Sequence, residues 1–486
     1  MADLGDPLRE GPAPAGPFDV AIVGAGVVGA AIGRELTRHG ASCVLVEGDV
    51  DVGAGTSKAN TALLHTGFDA KPGTIEARLV ARGYELLGEY AERVGIPASV
   101  TGALMVAWSP DQLEALPGIE AVAIENGYRD ARPVGAEELY EREPALGPGA
   151  LGGVEIPREG IVCPFTATLA LATEAVAGGC ALALNAPVLE VVDAAAGYEL
   201  RTRRGPIAAE YLVNAAGLHS DELDAMLGHR DFTVTPRRGE LIVFDKLARG
   251  LVRHVLLPVP TEKTKGVLVA PTVYGNVLLG PTADDVQSKR DRSTTRDGLS
   301  SLLADGARIV PRLLEHEVTA TYVGLRAATE DRDYQLRVHP RQRYVCAAGI
   351  RSTGVSASMA IAEHVRDALA TAGLALSEEQ AGAPMPMPNI GELAPRPYEQ
   401  GELIARDPDF GRIVCFCERV TRGELEQAMH GPIPPADLDG VRRRTRALMG
   451  RCQGFFCAAE VAAGLAAARG DSIAELMAIP ADGNSG

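Results

Sequence analysis

Aromatic side chains are scarce in this chain: they make up 4% of its 486 residues, with a single Trp. That scarcity argues against an aromatic-rich binding surface and favours tightly packed α/β layers built from Ala, Val, Leu and Gly. Positive charge is also in deficit. The formal net charge is −17 and the densest basic run is RRRTR, residues 442–446, so the cationic footprint that nucleic acid demands is missing. RRRTR reads as a solvated helix face, with contact to an acidic redox partner as the alternative. No apolar run is long enough to span a bilayer. The opening MADLGDPLREGPAPAGP has no basic region followed by an apolar one and reads as a disordered tail over residues 1–17. Together these features place the protein in the cytoplasm, with any membrane contact peripheral and made through a partner. Disulfides are rare there, so the eight cysteines are expected to be buried thiols, catalytic groups or metal ligands.

Apolar residues are plentiful. At 46% of the chain they fill more than one core, and the length predicts two or three domains. The stretch FDVAIVGAGVVGAAIGRELTRHGASCVLVE, residues 18–47, reads as buried strand, glycine turn, helix and second buried strand. Gly24, Gly26 and Gly29 stand in GxGxxG spacing. Gly24 permits the tight turn, Gly26 lets the backbone approach a pyrophosphate, and Gly29 lets helix and strand pack closely. The helix N-terminus offers free N–H groups and the positive end of its dipole to the phosphates. Glu47, at the end of the second strand, can accept hydrogen bonds from ribose hydroxyls. This pattern marks a dinucleotide site without separating NAD from FAD.

The residues that follow help. SKANTALLHTG, 57–67, NAPVLEVV, 185–192, VNAAGLHSDEL, 213–223, and GIRSTGVSASMAIAEHV, 349–365, together with the cradle, resemble the D-amino-acid-oxidase-like superfamily of FAD oxidoreductases, most closely its glycerol-3-phosphate dehydrogenase branch. The resemblance implies FAD as cofactor. It assigns Ser57, Ala59 and Asn60 to the loop running along the cofactor, Val188 to the adenine end, Ala216 and Gly217 to the segment closing over it, and Gly349 and Gly354 to a helix start facing the flavin. The family often carries Pro where this chain has Thr353. Segments at 236–245, 266–285 and 319–336 read as antiparallel sheet, which in the family lies over the flavin.

The resemblance also implies the chemistry of the pocket. His65, in the flavin-proximal loop, suits the role of proton acceptor for a substrate hydroxyl. Arg326 and Lys265 suit the anionic end of the substrate, with a structural ion pair to Glu330 or Asp331 as the alternative for Arg326. Ser352 suits a hydrogen bond to substrate or flavin. A base and two cations point to a small anionic hydroxy compound, glycerol 3-phosphate by resemblance. A 2-hydroxyglutarate-type acid or an amine or amino acid remain alternatives, as does an electron-transfer subunit without catalysis.

Four cysteines gather near the end as Cys415-x-Cys417 and Cys452-x4-Cys457. Four sulfurs can hold a [2Fe–2S] cluster or a structural zinc; C-x-C spacing fits zinc poorly. The arrangement, with RCQGFFC as its second half, is similar to the small [2Fe–2S] domain of bacterioferritin-associated ferredoxin. A hydride delivers two electrons and such a cluster accepts one at a time, so the expectation is a dehydrogenase that feeds a redox partner protein or a quinone. The other cysteines, Cys43, Cys163, Cys180 and Cys346, read as core thiols.

The expected fold class is α/β (α+β). A Rossmann-like FAD-binding domain (about 18–100, 155–230 and 320–375) is interleaved with an antiparallel-sheet substrate domain (about 101–154 and 231–319). A linker over 376–410 and a small helical [2Fe–2S] domain over 411–480 follow.

Overall fold

A computed structural model describes residues 8–194, 197–260, 266–380, 382 and 384–478. The chain divides into two compact units: residues 7–387 form one, and the residues from 388 onward form the body of the other.

The large unit holds two large sheets and a small three-stranded one made of Leu63–Leu64, Gly160–Val162 and Ala98–Val100. In the first, the apolar strands Phe18–Val23 and Cys43–Val46 pair in parallel, flanked in parallel by Ala181–Ala183 and by Gly205–Asn214, which in turn takes Tyr344–Ala348. Strands buried on both faces need helices on them. Helix Val27–Arg38 packs against helices Pro164–Ala177 and Gly354–Thr371. Helix Ile75–Val94, capped by the Thr74 hydroxyl, crosses Gly354–Thr371 so closely that a Cβ on Gly83 would lie 2.2 Å from the Ser356 carbonyl oxygen.

The second sheet is nine-stranded and largely antiparallel. Its spine is the pair Thr235–Phe244 and Val318–Ala328. Within the stretch 266–285, read as antiparallel sheet, Leu268–Pro271 pairs with Val277–Gly280 across a turn in which Gly275 has φ +83°. Strand Val318–Ala328, which the sequence reading split between the substrate domain and the FAD-binding stretch from 320, lies wholly in this sheet. It also joins the two layers, because alternation sends Val323, Leu325 and Ala327 into the core around Ala21, Val44 and Leu212 while Tyr322, Gly324 and Arg326 face the other way.

Within the stretch 1–17, residues 8–13 are held in place. The Arg204 guanidinium donates to the carbonyls of Leu8, Glu10, Gly11 and Pro12, and the buried Arg9 donates to Val50 O at 2.6 Å.

In the second unit the strand pair Ile413–Cys415 and Val420–Thr421 packs with helices Arg422–Met429, Leu438–Thr445 and Ala458–Arg469 around Val420, Leu425, Val441, Val461 and Leu465. Thr421 and Glu424 form a capping box. Much of the stretch read as linker is built into this unit. Arg396 is buried and donates to Glu424 Oε1 at 2.8 Å, Ile390 is buried, and Gly401–Arg406 is helical.

RRRTR departs from its expected place. Arg443, Arg444 and Arg446 are buried, so neither a solvated face nor a partner surface describes them. Arg444 donates to the carbonyls of Ile433 and Gly440, Arg443 pairs with Asp439, and Arg446 pairs with the buried Glu418 at 2.9 Å. Backbone carbonyls and carboxylates inside the unit replace the water that a basic run normally requires. The four scattered cysteines, Cys43, Cys163, Cys180 and Cys346, are buried. Among the described residues no helix is long and apolar enough to cross a membrane.

Candidate active site and cofactor sites

The glycine cradle is fixed by close packing. Gly24 has φ +107°, and a Cβ there would sit 2.3 Å from Ala215 O. A Cβ on Gly29 would lie 1.9 Å from Gly24 O. Gly26 is the N-cap of helix Val27–Arg38 and supplies no side-chain cap; instead the Ser57 hydroxyl accepts from Val27 N–H at 2.9 Å. An oxygen thus already occupies the place where a phosphate oxygen would meet the helix dipole. Glu47 accepts from Ala25 N–H at 2.7 Å and Asp49 N–H at 2.9 Å. Burial, with Asp49 beside it, raises its carboxyl to about 7.

The remaining cofactor candidates are spread over both large sheets and the loops at their ends. Asn60 is a local brace, donating to Ser57 O and accepting from Ala62 N–H, both at 2.8 Å. Ala59 lies under the second sheet, where a Cβ on Gly324 would come within 2.0 Å of its carbonyl oxygen. Val188 opens strand Val188–Ala194. Ala216 N–H donates to Asn214 Oδ1 at 3.2 Å, and Gly217 begins a short 3-10 turn with φ +57°. Gly349 follows strand Tyr344–Ala348 with φ +66°. Gly354 opens its helix after Thr353, which makes no side-chain cap. In place of the family's Pro, Thr353 is buried in a chain that runs from Tyr334 Oη, at 2.5 Å, to Glu76 Oε1, at 2.8 Å. Glycines at the two positions where a side chain would collide with backbone, a helix start capped from across the loop and a carboxylate beside it fit FAD.

The pocket candidates fall into two groups. His65 donates its backbone N–H to Ser356 Oγ at 2.8 Å, and its Nδ1 lies 2.7 Å from Glu159 Oε1. Arg326 sits on the face of strand Val318–Ala328 that meets the flavin-proximal loop: Tyr322 Oη donates to Asn60 O at 2.6 Å and Gly324 abuts Ala59. Its guanidinium donates only to Thr282 O, at 3.3 and 3.4 Å, among the described residues. Glu330 is engaged by Thr233 N–H and Asp331 by its own turn, so the alternative ion pair is not formed. The neighbouring strand places Arg237 directly opposite, but Arg237 is neutralised by two hydrogen bonds to Asp285, at 2.7 and 3.1 Å. Burial and the charge of Arg237 lower Arg326 to about 10, still cationic at neutral pH. Ser352 is exposed just before the helix start. Lys265 lies outside the described residues.

Glu159 is the residue that sequence reading missed. It is fully buried, and its second oxygen accepts both the N–H and the hydroxyl of Thr66, at 3.0 and 2.9 Å. Its one sequence signal is an acid placed before Gly160 and an apolar run, which is also how a solvated turn looks.

In the second unit the cysteine loops bring Cys415 to face Cys457 and Cys417 to face Cys452. As two facing pairs they form no metal-ligating group of three or more His, Cys, Asp or Glu side chains among the described residues. The loops are shaped for sulfur. Backbone N–H groups of Phe456, Gly454 and Phe455 point at Cys452, and these hydrogen bonds, led by that of Phe456, lower its thiol. Burial raises Cys415 to about 11. A Cβ on Gly450 would lie 2.3 Å from the Cys417 Cβ. Arg419, Arg446, Leu448 and Gln453 all take positive φ, a strain typical of loops built around a ligand. Four sulfurs in two facing pairs, one of them in a nest of N–H donors, fit a cluster that carries negative charge.

Comparison with known proteins gives the same assignment. Residues 19–368 match the family model of FAD dependent oxidoreductases, and residues 413–467 match that of the BFD-like [2Fe-2S] binding domain. The chain is 35% identical over 462 residues to a glycerol 3-phosphate dehydrogenase of Caloramator mitchellensis, covering 94% of this chain and 96% of that protein. It is 30% identical over 276 residues to the mitochondrial L-2-hydroxyglutarate dehydrogenase of Caenorhabditis elegans, covering 55% and 63%. The L-alpha-glycerophosphate oxidase of Mycoplasma pneumoniae, solved with FAD bound, superposes with a TM-score of 0.71 at 28% identity, covering 76% of this chain and 98% of that one. FAD and a [2Fe–2S] cluster are the cofactors of this chain.

Proposed function

This chain belongs to the FAD dependent oxidoreductase family, and from that premise we propose that it is a dehydrogenase oxidising glycerol 3-phosphate to dihydroxyacetone phosphate. Its electrons leave through the [2Fe–2S] domain for a redox partner protein or a quinone. The observation that carries the substrate class is Arg326, a half-buried guanidinium with no carboxylate partner among the described residues and with Ala59 and Asn60 on the face it shares. A cation partly withdrawn from water calls for an anionic ligand, and its planar fork suits two oxygens of a phosphate or carboxylate. Lys265 and Ser352 complete the grip on that end of the substrate. Ser57, Ala59 and Asn60 with the helix at Gly26 hold the pyrophosphate, Glu47 the ribose, Val188 the adenine, and Ala216, Gly217, Gly349 and Gly354 line the rest of the cofactor.

Bound FAD accepts the hydride from the substrate carbon. The protein's task is to aim that carbon, bind the anionic end and receive the hydroxyl proton, which goes to His65. Two comparisons favour a dehydrogenase over an oxidase. The relative that covers 94% of this chain is a dehydrogenase, whereas the glycerophosphate oxidase chain is used up on 76% of it. An enzyme that hands electrons to oxygen has no need of a cluster.

The second reading is a 2-hydroxyglutarate-type acid, favoured by the similarity to L-2-hydroxyglutarate dehydrogenase and by the fact that Arg326 serves a carboxylate equally well. The test is an anaerobic screen of purified protein against glycerol 3-phosphate, 2-hydroxy acids and amino acids, read as bleaching of the flavin. Glycerol 3-phosphate should bleach it. In Arg326→Ala the half-saturating concentration should rise by roughly 100-fold, the loss of a charge-assisted pair, with FAD retained. Bleaching by amino acids alone, or normal saturation in Arg326→Ala, would overturn the assignment.

A further inference from the structure

Glu159 is more tightly built in than packing requires. It enters from the turn between strands Gly152–Ile156 and Gly160–Val162, and Gly160 is paired with Leu64, the neighbour of His65. Two tyrosines fix the turn from outside: Arg158 N–H donates to Tyr128 Oη at 3.0 Å, and Tyr84 Oη donates to Arg158 O at 2.5 Å. The Arg158 guanidinium lies over both rings, 5.6 and 5.7 Å from their centroids. Inside, Thr66 occupies one carboxylate oxygen with two donors and leaves the other to His65 Nδ1. The Glu159 carboxylate thus meets the imidazole at Nδ1, with Tyr84, Tyr128 and Arg158 behind the carboxylate, and the Ser356 hydroxyl meets the backbone N–H of His65. A wholly buried carboxylate is costly unless its charge is used.

We infer that Glu159 is a positioning residue for the proton transfer: it holds a proton on His65 Nδ1, so that Nε2 is the atom that receives the substrate's hydroxyl proton. This rests on the reading of His65 as the base. The step balances. The substrate O–H bond breaks and an N–H bond forms at Nε2, while the hydrogen on carbon leaves with its electron pair for the cofactor and the C–O bond becomes a carbonyl. The Nδ1 proton stays in place, and the carboxylate offsets the positive charge the ring acquires.

The test uses oxidised, FAD-loaded protein labelled with nitrogen-15 in its histidine rings, without substrate, the His65 signals being assigned with His65→Asn. Wild type should show the Nδ1–H form. In Glu159→Gln the titration midpoint of His65 should fall by at least about one pH unit, the effect of losing a charge at hydrogen-bond distance. The pH midpoint of flavin reduction by substrate should move the same way, with the secondary structure unchanged. If Glu159→Gln does not fold, Glu159→Asp is examined instead, and its shorter reach should mix the two ring tautomers. An unchanged midpoint in Glu159→Gln, or an unmixed tautomer in Glu159→Asp, overturns the inference. Should His65→Asn reduce flavin at the wild-type rate, the reading of His65 as base fails instead; the nitrogen signals still judge the dyad independently.

Discussion

Around the glycine cradle the walls are backbone against backbone: Gly24 on Ala215, Gly29 on Gly24, the helix seated on its strand. Around the cysteine loops the contacts are mostly charge on charge or charge on carbonyl, Arg446 with Glu418, Arg444 with Ile433 and Gly440, Arg396 with Glu424. The first site is shaped by large apolar strands whose burial does not depend on the cofactor. The second belongs to a unit of about a hundred residues, a size at which the apolar core is thin and a bound cluster contributes folding energy directly. The cradle is therefore expected to outlast the loss of FAD, and the cysteine unit to loosen with the loss of iron.

Four substitutions would break or sharpen that contrast. The largest effect is expected from Cys457→Ser, which should abolish the cluster absorbance and lower the melting temperature of the C-terminal unit, while substrate still bleaches the flavin. Loss of FAD as well would end the separation between the two sites. Next is Gly29→Ala, whose methyl has no space at 1.9 Å from Gly24 O; FAD affinity should fall about tenfold or more through forced separation of helix and strand, with cluster content unchanged. Glu418→Gln should destabilise the second unit by about 3 kcal/mol in denaturant titration, because a buried arginine loses its charged partner, with the melting of the large unit unaltered. The smallest effect concerns pH. Burial holds the Glu47 carboxyl at about 7 against an ordinary 4.5. Between those values the unfolded chain sheds the proton that the folded chain keeps, so this group's contribution to stability is full below about pH 4.5 and is lost as the pH rises to about 7. In FAD-free protein Glu47→Gln should remove that decline from the plot of melting temperature against pH.

The contrast also explains what could be read from the sequence. The cradle was legible because strand, turn, helix and acid follow one another within thirty residues and each has a local reason. Glu159 was not, since its partners His65 and Thr66 lie more than ninety residues away and nothing near it in sequence distinguishes it from a surface acid. RRRTR misled for a related reason: local composition reports what a side chain prefers, and the carbonyls that satisfy Arg444 come from residues that composition does not connect. The catalytic arginine candidate fell between these cases. Its strand was foreseen, whereas its lack of a carboxylate partner could be learned only from where Glu330, Asp331 and Asp285 turned out to bond.

Strand Phe18–Val23 is the first of its sheet to be synthesised, yet one of its two neighbours is Gly205–Asn214, and that strand takes Tyr344–Ala348 still later. At about 5–20 residues per second, the nascent chain waits roughly 10–40 s between the first strand and Gly205–Asn214. During that interval one edge of a largely apolar strand is bare, an exposed template for mispairing. The sheet that carries the cradle is complete only once Tyr344–Ala348 has emerged, so dinucleotide capture waits on a strand more than three hundred residues downstream of the glycines.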